Sequence, residues 1–401
     1  MIPTVCIIAV LISEVNTAVA APKIRASPPS PPRSVVVEID SGAVRGTLDT
    51  SFPRRQVQVF KGIPFAAAPV GDLRWRPPQP PASWNPSVYD ATEFGADCKQ
   101  GASNVTSEDC LFINVYAPAN AAGSARVGNA SSGPRNAALV PVMFWIYGGG
   151  YQEGGTSTNT DGTADVGTLK EPWIIVTVNY RLNVFGFAAA DALRSRDPSG
   201  GTGNYGILDQ RMGMKWVQSN IHRFGGDPSR VFIAGQSAGG NAVSNHVVRP
   251  KSWGLFSAAG MESGAYYRLT PPSPHVQTCG PTPGNFTVAD QSKRWAGMMK
   301  RLGCSSADDV NCAVKADASL LYTVGSTSRD NPEQLDCGWS PTIDGVDLKE
   351  PLAVLASKGK VAKVPVIAGS TMEDGAIVFP NCNPAACTAT DFKSWATNGY
   401  G

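Results

Sequence analysis

A chain of 401 residues with 42% hydrophobic and 16% charged residues is long and apolar enough to bury one large α/β core. Its 34 basic and 32 acidic side chains leave a formal charge of +2, which offers nucleic acid or an anionic membrane no electrostatic handhold. No basic run, phosphate-binding loop or metal-ligand cluster stands out, so neither a metal nor a cofactor is expected.

Residues 1–20 read as an export signal. Val5 to Ile12 is mostly apolar, and Ala18-Val19-Ala20 supplies a small-x-small cleavage pattern, although no Lys or Arg precedes the run. No later run approaches the roughly 18 apolar residues of a membrane span, so no transmembrane segment is expected and the product reads as secreted. Removing Cys6 with the signal leaves Cys98, Cys110, Cys279, Cys304, Cys312, Cys337, Cys382 and Cys387, an even set that suits disulfides. Sequons at Asn104, Asn129 and Asn285 fall in loop-like surroundings where glycans could attach.

Residues 21–34, rich in Pro and Ser, read as a flexible leader before a single domain spanning 35–401. Val35–Ile39, Ser41–Gly46 and Gln56–Phe60 predict short strands of a small antiparallel sheet. Lys61–Phe65 and Leu73–Pro78 read as an irregular, aromatic and proline-rich surface segment. Leu111–Tyr116 predicts a strand, and 119–137 an exposed loop. The apolar runs Val140–Ile146 and Trp173–Val178 predict central parallel strands buried on both faces. Helical spacing marks Leu208–Ile221, Ala289–Leu302 and Leu348–Ser357, with a last core strand at Val364–Ala368. Strands alternating with helices argue for a mostly parallel, doubly wound sheet.

Val231–Ala234 feeds straight into Gly235-Gln236-Ser237-Ala238-Gly239, and Asn241–Val248 then reads as a helix. Strand, G-x-S-x-G, helix is the setting in which a serine sits on a sharp turn as a nucleophile. Glycines two residues either side let the turn close, and the helix N-terminus favours developing negative charge. Upstream, Tyr147-Gly148-Gly149-Gly150-Tyr151 follows a buried strand. Successive glycines there could present backbone N–H groups to an oxyanion.

Taken together, Lys61-Gly-Ile-Pro-Phe65, Ser107-Glu-Asp-Cys-Leu111, Trp145-Ile-Tyr-Gly-Gly-Gly150, Val178-Asn-Tyr-Arg-Leu182, Gly203-Asn-Tyr-Gly-Ile-Leu-Asp-Gln210, Phe224-Gly-Gly-Asp-Pro228 and the serine turn resemble the type-B carboxylesterase family. That family includes cholinesterases, fungal lipases and the non-catalytic neuroligins. The resemblance implies an α/β-hydrolase fold and a small-molecule or lipid ester as substrate. It makes Ser237 the nucleophile, Gly149, Gly150 and Ala238 the oxyanion donors, and Asp374 the acid, with Glu373 as the alternative. It also implies disulfides Cys98–Cys110 and Cys304–Cys312. Proximity and elimination leave Cys382–Cys387 and Cys279–Cys337. Gln236 departs from the Glu that many relatives carry. A binding or adhesion module on the same fold is the competing expectation.

A serine hydroxyl needs a base. The family's order is Ser, acid, His, yet His222, His246 and His275 all precede Asp374. Each reads better as structural than as a base. The resemblance therefore implies a fragment, with the family's last strand, His loop and C-terminal helix missing and catalysis impaired.

Overall fold

The computed structural model describes residues 33–52, 54–101, 106–121, 126–127, 138–157, 161–264, 286–326 and 339–371. Nine strands carry one twisted sheet: β1 (Arg33–Ile39), β2 (Gly42–Asp49), β3 (Val57–Pro64), β4 (Phe112–Pro118), β5 (Val140–Ile146), β6 (Ile174–Val178), β7 (Gly226–Gln236), β8 (Ala258–Glu262) and β9 (Val366–Gly369). Their spatial order is β9-β8-β7-β5-β6-β4-β3-β2-β1, with Arg126–Val127 added beside β1 and Val88–Asp90 beside β2. From β6 to β9 every pairing is parallel; from β6 through β4 to β1 every pairing is antiparallel.

The expected N-terminal antiparallel sheet is thus the continuation of the central one. Arg33 and Ser34, assigned to the leader, already pair with Leu48 and Thr47 in β1, but their side chains are exposed and leave no apolar signature. Similarly, Arg126–Val127 pairs with β1 inside the stretch read as an exposed loop.

Helices cover the sheet: α1 (Thr163–Thr168), α2 (Asn183–Phe187), α3 (Tyr205–Asn220), α4 (Ala238–Val248), α5 (Val288–Leu302), α6 (Val310–Lys315), α7 (Ala318–Ser326) and α8 (Leu352–Ser357). Val176, Phe144, Ile233 and Ala259 stand in register across four parallel strands, all at most 1% exposed. That row packs in one continuous core with Met214 and Val217 of α3 and Val243 and Val247 of α4. On the opposite face α1 places Val166 against Val57, Val59, Tyr116 and Ile175. Burial of this kind, about 1.5–3 kcal/mol for each large apolar side chain, holds the parallel strands in the register that aligns their C-terminal ends.

Three expectations need correction. Neither Lys61–Phe65 nor Leu73–Pro78 is an irregular surface segment: Lys61–Pro64 belongs to β3 with Ile63 and Phe65 buried, and Trp75 is fully buried, its indole N–H donating to the Val184 carbonyl at 2.8 Å and its ring meeting Trp295 edge-on at 5.1 Å. Arg74 beside it is buried because Glu108 accepts its Nε at 2.7 Å, so the charge enters the core with a counterion. The helix expected from Leu348 starts at Leu352, since Pro351 disfavours a helical residue before it. Finally, β9 is an edge rather than a core strand among the described residues, with Val366 48% and Ile367 69% exposed.

Candidate active site

The parallel strands end together at a sharp turn. β7 stops at Gln236, α4 starts at Ala238, and Ser237 between them has φ 57° and ψ −122°. A left-handed φ at a non-glycine residue is unfavourable and persists only where its surroundings impose it. Here the Ser237 N–H donates to the Glu262 carbonyl at the end of β8 (2.8 Å), while its own carbonyl accepts the Asn241 N–H (2.9 Å). The glycines are required by space. A Cβ on Gly235 would lie 2.6 Å from the Ile146 carbonyl oxygen, and one on Gly239 only 2.0 Å from it.

The glycine turn after β5 abuts this elbow. A Cβ on Gly148 would stand 2.6 Å from the Gln236 carbonyl oxygen and 3.0 Å from Ser237 Cβ. Gly149, Gly150 and Tyr151 have φ of 109°, 62° and 64°, and the Gly149 carbonyl accepts the N–H groups of Gln152 and Glu153 at 2.9 and 3.1 Å. Tyr147 and Tyr180 stack at 4.5 Å, and the Tyr180 hydroxyl donates to the Tyr147 carbonyl at 2.8 Å. Burial pushes both phenols far above their ordinary range, so they stay protonated donors. Among the described residues, no protein acceptor takes the backbone N–H of Gly149, Gly150 or Ala238. A cavity of about 490 Å³ opens beside the elbow, lined by Trp145, Tyr147, Gly148, Thr177 and Gln236. Asp161 at its rim is ionised: burial opposes this, but hydrogen bonds from Thr163 and Lys61 outweigh it.

Neither described histidine reaches the serine. His246 lies two turns into α4, fully buried, with Nδ1 3.0 Å from Ser252 Oγ and Nε2 2.9 Å from Gln210 Oε1. Burial first, then the positive Arg211 and Arg249, hold its pKa well below the usual value. His222 is exposed in the turn after α3. His275, Glu373 and Asp374 lie outside the described residues, as do Asn104, Asn129, Asn285, Cys279, Cys337, Cys382 and Cys387. Cys98–Cys110 and Cys304–Cys312 are bonded, with S–S distances of 2.07 and 1.96 Å. No helix among the described residues is long and apolar enough to cross a membrane.

Sequence reasoning overlooked three contributors. Gly264 packs against the Ser237 carbonyl, Glu262 anchors the Ser237 amide, and the Tyr151 hydroxyl donates to Asn241 Oδ1 across 2.6 Å. Asn241, two residues past the G-x-S-x-G pattern on an otherwise small and apolar helix start, was the available signal for the last of these.

Comparison with known proteins agrees with this geometry. The model of the carboxylesterase family matches residues 33–397. Fumonisin B1 esterase of Sphingopyxis macrogoltabida is 33% identical over 379 residues, covering 92% of this chain and 61% of the relative. Para-nitrobenzyl esterase of Bacillus subtilis is 31% identical over 353 residues, covering 86% of this chain and 64% of the relative. A solved Geobacillus stearothermophilus carboxylesterase superposes with TM-score 0.71 at 29% identity, covering 92% of this chain and 69% of that one. The chain thus spans less than two thirds of the length of these two curated relatives. Its α/β-hydrolase fold, its serine elbow and the match over nearly its whole described length agree: the chain belongs to the carboxylesterase family.

Proposed function

We propose that this chain is the core of a secreted carboxylic-ester hydrolase that works through an acyl-enzyme on Ser237. The observation that carries the reading is the left-handed Ser237 facing a turn whose Gly149 and Gly150 amides, with that of Ala238, have no acceptor within the described protein. Ser237 Oγ attacks the ester carbonyl as its proton passes to a base. The carbonyl electron pair moves onto oxygen, where the three amides stabilise it. Collapse expels the alcohol, which takes the proton, and water then releases the acid by the same steps.

The base lies outside the described residues, since His246 is spent on Ser252 and Gln210, and His222 precedes β7 while Ser237 follows its far end. Asp374 is the proposed orienting acid, with Glu373 as the alternative. Supporting this, the Ser263 N–H donates to the Gly369 carbonyl at 2.7 Å, which brings the end of β9 beside the Glu262 carbonyl that holds Ser237. Two disulfides support export. The names of the relatives, both esterases, support ester hydrolysis.

A fluorophosphonate probe tests the nucleophile. It should label the wild-type chain at Ser237 and leave Ser237→Ala unlabelled. Labelling that survives the substitution would sink the reading.

A further inference from the structure

Tyr151 ends the glycine turn, and its side chain does more than fill space. Its ring is 1% exposed and meets Phe187 edge-on at 4.9 Å, while its carbonyl accepts the Asn183 N–H at 2.7 Å. The hydroxyl reaches α4, where it donates to Asn241 Oδ1. Asn241 is fully buried, and its backbone N–H bonds the Ser237 carbonyl. One side-chain hydrogen bond therefore links the neighbour of Gly150 to the residue that grips Ser237.

The turn needs such a link. Three consecutive residues hold positive φ, and for Tyr151 that conformation is intrinsically unfavourable, so an untethered turn would relax. Oxyanion donors act only when aimed at the developing charge, and a displacement of about 1 Å can cost on the order of 100-fold in rate.

We propose that the Tyr151–Asn241 hydrogen bond is a positioning device for acyl transfer: it fixes the Gly149 and Gly150 amides relative to the Ser237 hydroxyl. The proposal rests on Ser237 being the nucleophile. It makes Tyr151 and Asn241 positioning residues, since neither needs to touch the substrate.

The test is the saturation kinetics of fluorophosphonate labelling at Ser237, in which Oγ bonds to phosphorus and fluoride leaves. Tyr151→Phe keeps the ring and removes the hydroxyl. Its maximal labelling rate should fall about tenfold, with the half-saturating probe concentration within about twofold of wild type. Asn241→Ala should lose a similar factor, and the double variant should lose no more than either single, because all three lack one interaction. Amide exchange across residues 148–152 should quicken in each. If Tyr151→Phe melts below the assay temperature, Asn241→Ala alone gives the rate comparison. A Tyr151→Phe rate equal to wild type, or losses that multiply in the double variant, overturns the positioning role while leaving the nucleophile in place. Labelling that survives Ser237→Ala overturns both.

Discussion

Gly264 presses so closely on the carbonyl of Ser237 that an added Cβ would lie 1.9 Å from that oxygen. Since this carbonyl also takes the first amide bond of α4, from Asn241, the elbow cannot yield without unwinding the helix start. Gly264→Ala should therefore cost about 1–3 kcal/mol in urea denaturation and abolish fluorophosphonate labelling. Gly369→Ala, at a nearby glycine with open space around it, serves as the control and should behave as wild type. Normal labelling of Gly264→Ala would show that the elbow tolerates a shift.

His246 makes stability sensitive to mild acid. Gln210 Oε1 can only accept, so the neutral ring keeps its proton on Nε2 and Nδ1 accepts from the Ser252 hydroxyl, whose oxygen in turn accepts Arg211 Nε–H at 2.9 Å. The buried ring resists a second proton: burial dominates, Arg211 and Arg249 add to it, and Asp347 only partly offsets them. Below the ordinary value of 6.5 the unfolded chain takes up a proton that the folded chain refuses. Stability is thus complete above that pH and falls below it, by up to about 1.4 kcal/mol per pH unit. The melting temperature should drop from pH 7.5 to 5.5, and His246→Gln should flatten that slope. An unchanged slope in the variant would place the proton elsewhere.

What the sequence disclosed and what it hid follow from distance along the chain. The elbow was legible because Gly235, Ser237 and Gly239 fall within five consecutive residues, although what excludes a Cβ at Gly239 is the distant Ile146 carbonyl. The parallel strands were legible because burial on both faces leaves continuous apolar runs such as Val140–Ile146. Trp75 was misread because what buries it, the Val184 carbonyl and the Trp295 ring, comes from remote parts of the chain. The Tyr151–Asn241 bond and the close approach of Gly264 were hidden for the same reason. The edge position of β9 among the described residues could not be read either, since an apolar strand reports its composition and not its neighbours.

Asp347 supplies the negative charge for two buried guanidinium groups. Arg211 donates to both its oxygens at 2.9 Å, and Arg249, wholly buried, pairs with the same carboxylate. Burial alone would raise the Asp347 pKa, yet Arg249 and Arg211 hold it well below the usual carboxylate range. The depressed value means that the stabilisation is complete above about pH 3.8, the ordinary value, and is lost only in stronger acid. Asp347→Asn keeps the shape and strands two cations in the core. It should cost about 3–5 kcal/mol at pH 7. A loss under about 1 kcal/mol would show that water reaches the pair.

The two disulfides should separate stability from reactivity. Cys98–Cys110 and Cys304–Cys312 close stretches of 12 and 8 residues, so chain entropy gives each about 2.5–3 kcal/mol. Among the described residues, only the first is tied to the glycine turn after β5: Gln100, two residues after Cys98, donates to the Gly154 carbonyl at 2.6 Å and accepts the Gly154 N–H at 2.8 Å. Gly154 in turn packs a hypothetical Cβ 2.7 Å from the Gly148 carbonyl oxygen, so movement of Gln100 reaches the glycines directly. Replacing Cys98 and Cys110 together by Ser should therefore lower both the melting temperature and the labelling rate of Ser237. The paired Ser substitutions at Cys304 and Cys312, at the far end of α5, should lower the melting temperature alone. Equal labelling rates in the two variants, measured at a temperature where both are folded, would break the proposed path from the first disulfide to the glycine turn.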